Sequence, residues 1–464
     1  MTTPLLDRKG EAVEERAVQE LRRSLNGPLL RPAEPGYEEA RRIWNGMIDR
    51  RPGLIARCIS AADVVTCVNF ARDCDLLVSV RGGGHNVAGN AICEGGLVID
   101  LSAMKGVQVD ARGRTVYAQP GLLWSELDAA TQAHGLATTG GTISHTGIAG
   151  LTVGGGIGWL ARKHGLACDN LVSVEIATAD GRLRTVSADN EPDLFWAVRG
   201  GGGNFGVVTS FQYRLHPVGP EVLGGGVFHP LSRAKEALRF YAEYAAQAPE
   251  ELTTAAALLN LPEAGPVIGI AACYIGPREE GERWLAPLHR FGPPVEDMLG
   301  PLPYLAMQSM MDQVAPHGRH YYGRAPFLGG IAEEAIDVVV DYYARATSPL
   351  SLVLVQQMGG AIGQAGAEGA FAHRDAGFNL VIFAAWEGEE DPREHVEWAR
   401  QLSRDVAPYT TGASYVNDLG LEQDEGTGQI RAAFGPHYNR LAVLKKRYDP
   451  ANLFRHNQNI RPAS

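Results

Sequence analysis

The chain carries no surplus of positive charge. Its 42 lysines and arginines face 53 aspartates and glutamates, a net charge of -11, whereas proteins that grip nucleic acid present a basic stripe to the phosphates. A nucleic-acid partner is thereby excluded. No run of about 18 apolar residues occurs, and the opening MTTPLLDRKGEAVEE places charges where a secretory signal has its apolar segment. A cytoplasmic protein without a membrane partner is predicted. Cysteine is sparse: Cys58, Cys67, Cys74, Cys93, Cys168 and Cys273 form no CxxC pair and are too few for a disulfide scaffold. Reduced, structural thiols are expected. Neither the GK[ST] of a phosphate loop nor the HExxH of a zinc site occurs, and no metal site is expected. Lysine is scarce too, six residues against 36 arginines. That bias suggests a GC-rich bacterial genome.

What is present is length and glycine. A chain of 464 residues exceeds what one compact core organises, so two or three domains are expected, with room for a closed site between them. Hydrophobic residues at 45% and charged residues at 20% are ordinary for a globular protein that folds unaided, as a monomer or homodimer. The 56 glycines make up about 12% of the chain, against a usual level of about 7%. Their positions decide the reading.

The segment EAVEERAVQELRRSL reads as a helix within an N-terminal extension, residues 1–36. From 37 to 217, short β-rich runs alternate with turns and two helical patterns, AADVVTCVNFARDC and LLWSELDAATQAHG. LVIDLS and TVYAQPG, around a DARGR turn, read as small hairpins, which disfavours repeated βαβ units. Over 218–410 three helical patterns alternate with apolar runs such as LVLVQQMGG and FNLVIFAAWEG, predicting an antiparallel sheet with helices on one face. Residues 411–464 form a further C-terminal segment.

Three glycine clusters fall within the second segment. VRGGGHNVAG follows an apolar strand, so bare backbone N–H groups can close on a ligand while His85 stands at the rim. Taken alone, GGGH is equally a surface turn. GGTISHTGIAGLTVGGGIGWLARKHGL packs eight glycines before Trp159, and RGGGGNFGVV repeats the theme. Three such loops suggest one large ligand, with phosphates and a ring, wrapped from several sides. GGGIG at Gly154–Gly158 matches a dinucleotide fingerprint poorly, because the spacing is wrong and no acidic ribose partner is placed.

These clusters, with LFWAVRGGGGNFGVVTSFQYRL and the C-terminal RLAVLKKRYDPANLFRHNQNI, resemble the berberine-bridge-enzyme-like flavoproteins of the vanillyl-alcohol-oxidase superfamily, the bacterial hydroxynicotine oxidases and antibiotic-tailoring oxidases above all. The resemblance implies an α+β protein: a PCMH-type FAD-binding domain of two α/β subdomains, and an antiparallel-sheet substrate domain with helices on one face. It implies FAD covalently linked through His85 by an 8α-histidyl bond. A second, cysteinyl link is not expected, since Ile143 holds that position and Cys168 lies 25 residues further on. Matched to the family, the cofactor-binding residues are Arg81, Gly82, Gly83, Gly84, His85 and Asn86; Gly140, Thr142, His145, Thr146, Gly150, Gly154, Gly155 and Gly158; Gly203, Asn204, Gly206 and Val207; and Asn457 and Asn459. Thr146, at the face where oxygen reacts, favours an oxidase, although it equally serves as a turn residue.

The family's base is missing from its usual places. Asp418 replaces a tyrosine in YVND, and Gln364 replaces a glutamate in QQMGGAIGQ. A substrate alcohol gains from a base, whereas a neutral amine gives up hydride without one, so the departures point to an amine, or an acidic alcohol or enol. Tyr415, Asp418, Gln357, Tyr322 and His320 are the catalytic candidates, with Tyr321 beside them. The expected activity is hydride transfer from a small-molecule amine or alcohol to FAD and on to O2. The alternatives are a dehydrogenase with another acceptor and a flavin-binding protein without redox turnover.

Overall fold

The computed structural model describes residues 5–364, 368–388, 391–420 and 426–464. Its first lobe is built on two sheets. In one, strands Leu54–Arg57, Leu97–Asp100 and Val78–Arg81 run parallel, with Leu29–Leu30 antiparallel at the edge. Helix Ala61–Asp73 makes the crossover between Leu54–Arg57 and Val78–Arg81, starting where Ser60 Oγ accepts the Asp63 N–H at 3.2 Å. Its buried Val64, Cys67, Val68 and Ala71 join the core of that sheet, as do Val18 and Leu21 of helix Glu15–Ser24.

LVIDLS therefore departs from the hairpin expected of it. Leu97–Asp100 is an inner parallel strand with all four residues buried, and a continuous apolar run is what a strand covered on both faces requires. The DARGR turn does form a hairpin, but between Val107–Asp110 and Thr115–Ala118. That hairpin begins the second sheet, all antiparallel, which continues through Val207–Arg214, Leu171–Ala177 and Leu183–Ser187. Helices Trp124–Gln132, Pro192–Val198 and Tyr438–Tyr448 bury Leu127, Phe195 and Leu441 in its core, so the C-terminal helix belongs to this lobe.

The second lobe is one antiparallel sheet, ten-stranded among the described residues. Its middle runs Glu221–Pro230, Gly265–Tyr274, Leu252–Leu261, Leu352–Gln357, Phe378–Trp386, and His320–Arg324 pairs with the last of these. Helices Ala234–Gln247, Glu333–Tyr343 and Pro392–Val406 cover one face with Tyr241, Ile336 and Trp398. The last of these starts at Asp391, whose carboxylate accepts the Arg393 N–H at 3.0 Å, with Pro392 at its first position. Because side chains alternate along a strand, Val353 and Val355 enter that helix-side core while Leu352 and Leu354 face the first lobe. No helix among the described residues is long and apolar enough to cross a membrane.

A buried cation ties the C-terminus to the glycine-rich loops. Lys445 Nζ is fully enclosed and donates to the Asn204 and Phe454 carbonyls and to Asp449 Oδ2, each at 2.7 Å. Asp449 in turn accepts the Leu453 and Phe454 N–H groups at 2.7 and 2.9 Å. Removing one member leaves a charge without its partner in a site closed to water. Lys445→Met is expected to cost about 3–5 kcal/mol, and pairing it with Asp449→Leu is expected to recover part of that loss. Denaturant melts of both variants measure it, and a Lys445→Met midpoint equal to the parent's would show that the pair contributes nothing.

Candidate active site

A cavity of about 330 Å³ runs between the two subdomains of the first lobe and ends beneath the inner face of the second-lobe sheet. Val78, Val80 and Leu101 wall it on one side, Ile176, Val207 and Phe211 on the other. Gly82, Gly83, Gly84 and Asn86 line it where strand Val78–Arg81 ends, as do Thr142, Thr146 and Gly150 of the second glycine loop and Gly203, Asn204 and Gly206 of the third.

His85 is part of the same wall. Its ring stacks on Trp44, centroids 4.3 Å apart at 17°, and Trp44 stacks in turn on Tyr321 at 3.9 Å and 12°. His85 Nε2 lies 3.1 Å from His145 Nδ1, and His317 closes the group at 4.8 Å from the His145 ring. Burial, reinforced by His145 and His317, pushes the His85 pKa well below the ordinary imidazole value. The ring is consequently neutral, with a lone pair available to an electrophile. Three imidazoles meet here, yet no group of such side chains among the described residues is arranged to hold a metal ion.

The second glycine loop is pinned from the other lobe. Asp312 accepts from the Ser144 N–H at 2.7 Å and from the Ser144 hydroxyl at 2.6 Å. At the far end, Asn204 donates to the Gly201 and Gln458 carbonyls at 2.9 and 3.2 Å and accepts the Ile460 N–H at 2.9 Å. This brings the C-terminal segment to the cavity, where Asn457 lines the wall. The side-chain carbonyl oxygens of Asn457 and Asn459 are buried without a partner among the described residues. A Cβ on Gly150 or Gly203 would meet no protein atom within 4 Å, so the bare backbone there borders space for a ligand. Unpaired buried acceptors suit the hydroxyls of a ribityl chain or a ring N–H, and bare backbone N–H groups suit phosphates, so the lining fits FAD.

Other expected contacts fall elsewhere. The Arg81 guanidinium turns away and donates to the Ala40 carbonyl. Gly140, Gly154, Gly155 and Gly158 allow chains to pass one another instead of lining this cavity: a Cβ on Gly158 would lie 2.2 Å from the Gly140 carbonyl, and one on Gly154 1.9 Å from the Asn417 side chain. His145 is in hydrogen-bond reach of His85 and is not on the cavity wall.

Of the catalytic candidates, Tyr415 and Asp418 are on the wall together with Asn417. The Tyr415 hydroxyl accepts from the Gly156 N–H at 3.0 Å and from Asn417 Nδ2 at 2.8 Å, and its own proton has no acceptor among the described residues. Burial, then the nearby Asp418, raises its pKa, so the phenol stays protonated. Asp418 is enclosed by protein and reached through the cavity, and burial raises its pKa to about 7.

Tyr322, His320 and Gln357 do not meet them. Tyr322 sits in the helix-side core with its hydroxyl 3.2 Å from Arg400 Nε, and His320 stands edge-on to Trp386 of the same core. The Gln357 amide is consumed by Thr254 Oγ1 and the Ala245 carbonyl, both at 2.7 Å. In each strand the neighbour faces inward: Tyr321 and Gln356 line the cavity. Gln364, at the family's glutamate position, bonds Glu250 at the surface. Cys168 is buried in the inter-lobe core. Trp44, His317 and Gln356 were not foreseen. IWNG carries no motif, and LVLVQQ is apolar on both faces, so its polarity does not reveal which side is which.

Comparison with known proteins agrees with this arrangement. Residues 52–187 match the FAD binding domain model and residues 415–461 the berberine and berberine-like model. An FAD-linked oxidoreductase of Dictyostelium discoideum is 33% identical over 96% of this chain and 97% of its own. The (R)-6-hydroxynicotine oxidase of Paenarthrobacter nicotinovorans is 31% identical over 95% of this chain and 97% of its own. The crystal structure of 6-hydroxy-D-nicotine oxidase from Arthrobacter nicotinovorans superposes with a TM-score of 0.88 at 28% identity, covering 95% of this chain and 99% of that one. With relatives matched along nearly their whole length and a cavity suited to FAD, the chain belongs to the berberine-bridge-enzyme-like family of FAD-linked oxidoreductases.

Proposed function

We propose that the protein is an oxidase that takes hydride from a small-molecule amine or alcohol and delivers the electrons to O2, with Asp418 as proton acceptor. The observation that carries this reading is the placement of Asp418 and Tyr415 on the same cavity wall as the glycine loops and His85. FAD, when bound, supplies the electron sink for the hydride and the route to O2. The chain's own residues do the rest. His85, neutral and stacked on Trp44, is the nucleophile that tethers the flavin; with Ile143 in the second glycine loop, no cysteinyl link accompanies it. Tyr415 donates its free proton to the reacting oxygen or nitrogen and holds it in place. Asp418, near neutrality in its pKa, accepts the substrate proton that leaves as hydride departs. Thr146 is on the wall and small enough to leave room for O2, and the oxidase activity of the hydroxynicotine oxidase relative supports the oxidase assignment.

Asp418 thus takes up the role for which the sequence offered no conventional base. A dehydrogenase using another acceptor is separated by one experiment. Anaerobic reduction by a donor, followed by air, restores the flavin colour in an oxidase and leaves it bleached in a dehydrogenase.

The tether is tested by denaturing the protein in acid and locating FAD by mass spectrometry. FAD is expected on the peptide bearing His85 and to be lost from His85→Ala; FAD that washes off the unaltered protein would overturn the tether. The base is tested by a pH profile of kcat/KM. A base must be ionised, and Asp418 is protonated below about 7, so the rate is expected to fall on the acid side, about tenfold per pH unit. Asp418→Asn is expected to lose about 100- to 10,000-fold in rate together with that acid limb. A limb that survives in the variant belongs instead to a substrate amine.

A further inference from the structure

A second cavity, about 370 Å³, adjoins the first. Thr142, Leu352, Leu354 and Gln356 belong to both walls, so the two are chambers of one site. Its volume falls within the range of small-molecule pockets. The cause is local: Ala255, Ala257, Gly269 and Ala271 are register neighbours on two paired strands and all line the chamber, leaving a patch of small residues on the inner face of the sheet.

The chemistry of the walls is one-sided. No carboxylate among the described residues lines this chamber, and its one charged side chain, Arg319, is already paired with Glu387 at 3.1 Å. Ile157, Trp159, Phe228, Leu259, Met310 and Met311 supply the bulk of the surface. Thr254 and Gln357 reach the chamber only from behind, their side chains bonded to each other at 2.7 Å and to the helix side of the sheet. Gln356 accepts from Asn379 Nδ2 at 3.0 Å, and its own NH2 is a donor without an acceptor among the described residues. Thr253, Asn260, Gln313 and Ser351 are the other polar residues of a lining that is mainly apolar. A charged body would lose its hydration here with no opposite charge to replace it.

Resting on the oxidase reading above, we infer that the second chamber holds the body of the substrate, and that the substrate is an uncharged alcohol with an extended apolar body, aryl or alkyl. The carbinol end lies toward Tyr415 and Asp418, the body spreads over Ala255 and Ala257, and Gln356 offers a hydrogen bond to an oxygen carried between the two. In turnover the carbinol C–H pair of electrons leaves as hydride to FAD and the hydroxyl proton goes to Asp418, yielding the aldehyde or ketone. The electron pair and proton of the hydride, together with the proton held by Asp418, reduce O2 to H2O2, which returns Asp418 to its carboxylate form.

The test uses the flavin-bound protein under anaerobic conditions with straight-chain primary alcohols from propanol to octanol, the matching amines, and cellobiose. Perturbation of the flavin spectrum reads binding, and bleaching reads turnover. Affinity is expected to rise about fourfold per added methylene, with bleaching by the alcohols and neither binding nor bleaching by cellobiose. Ala257→Leu, which fills the chamber, is expected to abolish the gain with chain length. Should that variant lose its flavin, the series on the unaltered protein decides. Affinity that does not grow with chain length, or preference for cellobiose or for the charged amines, overturns the substrate class. Growing affinity without bleaching by any donor leaves the chamber assignment standing and removes the oxidase reading beneath it.

Discussion

The site depends on one close approach of backbone to backbone. A Cβ on Gly83 would lie 2.5 Å from the Gly147 nitrogen, and one on Gly147 would lie 2.4 Å from the Gly83 nitrogen. Real side chains do not tolerate such distances, so both positions must be bare for the loop after strand Val78–Arg81 to lie against the loop of residues 140–150. From that contact follows the meeting of His85 with His145 across 3.1 Å, and with it the enclosed, neutral imidazole. The opposite end is held differently, by the buried ammonium of Lys445 and the bonded amide of Asn204. Glycine brings the walls together, and charge fixes the segment that closes them.

Legibility in the sequence followed the same division. Glycine clusters are conspicuous, so the loops that frame the cavity were readable, and so were the sheet and helices of the second lobe from their apolar periods. Which glycine touches ligand and which lets two chains cross was not readable, because both uses demand the same missing side chain. Gly150 and Gly158 look alike in sequence, yet one borders open space and the other a carbonyl. Strand parity failed for a related reason. A sheet packed on both faces has no polar side, so HYY and QQ gave two equal choices, and Tyr322 and Gln357 turned toward the helices. Register with Phe378–Trp386, a contact distant in sequence, decides the matter.

The titratable groups of the site are tuned chiefly by one agent, exclusion from water, acting in opposite directions on opposite charge types. The same burial that depresses His85 raises Asp418 and Tyr415. A nucleophile must be uncharged, a proton donor must keep its proton, and an acceptor working near neutrality must hold a proton more firmly than a surface carboxylate does. Enclosure satisfies all three at once, without a separate charged partner for each. On the proposed role of Asp418, the same enclosure is what would fit an aspartate to the position where the family has a tyrosine. An exposed aspartate would be a weak base, whereas one enclosed by the cavity walls titrates where a base is useful.

The two lobes divide the work by the kind of atom they present. The first lobe offers backbone, held where Gly83, Gly147 and Gly206 leave no room for a side chain against a neighbouring strand or loop, so its fit to the cofactor is rigid. The second lobe offers side chains on a sheet whose other face is fixed by helices, with Tyr241, Ile336 and Trp398 in that core. Inner-face residues can change size or polarity while the alternate positions keep their packing. If the second chamber holds the substrate as inferred, substrate preference can therefore shift through Ala255, Ala257, Leu354 or Gln356 with no change in the glycine loops. The cofactor site tolerates little because its constraint is steric and backbone-borne; the substrate chamber tolerates much because its walls are carried by one face of a sheet whose stability resides on the other.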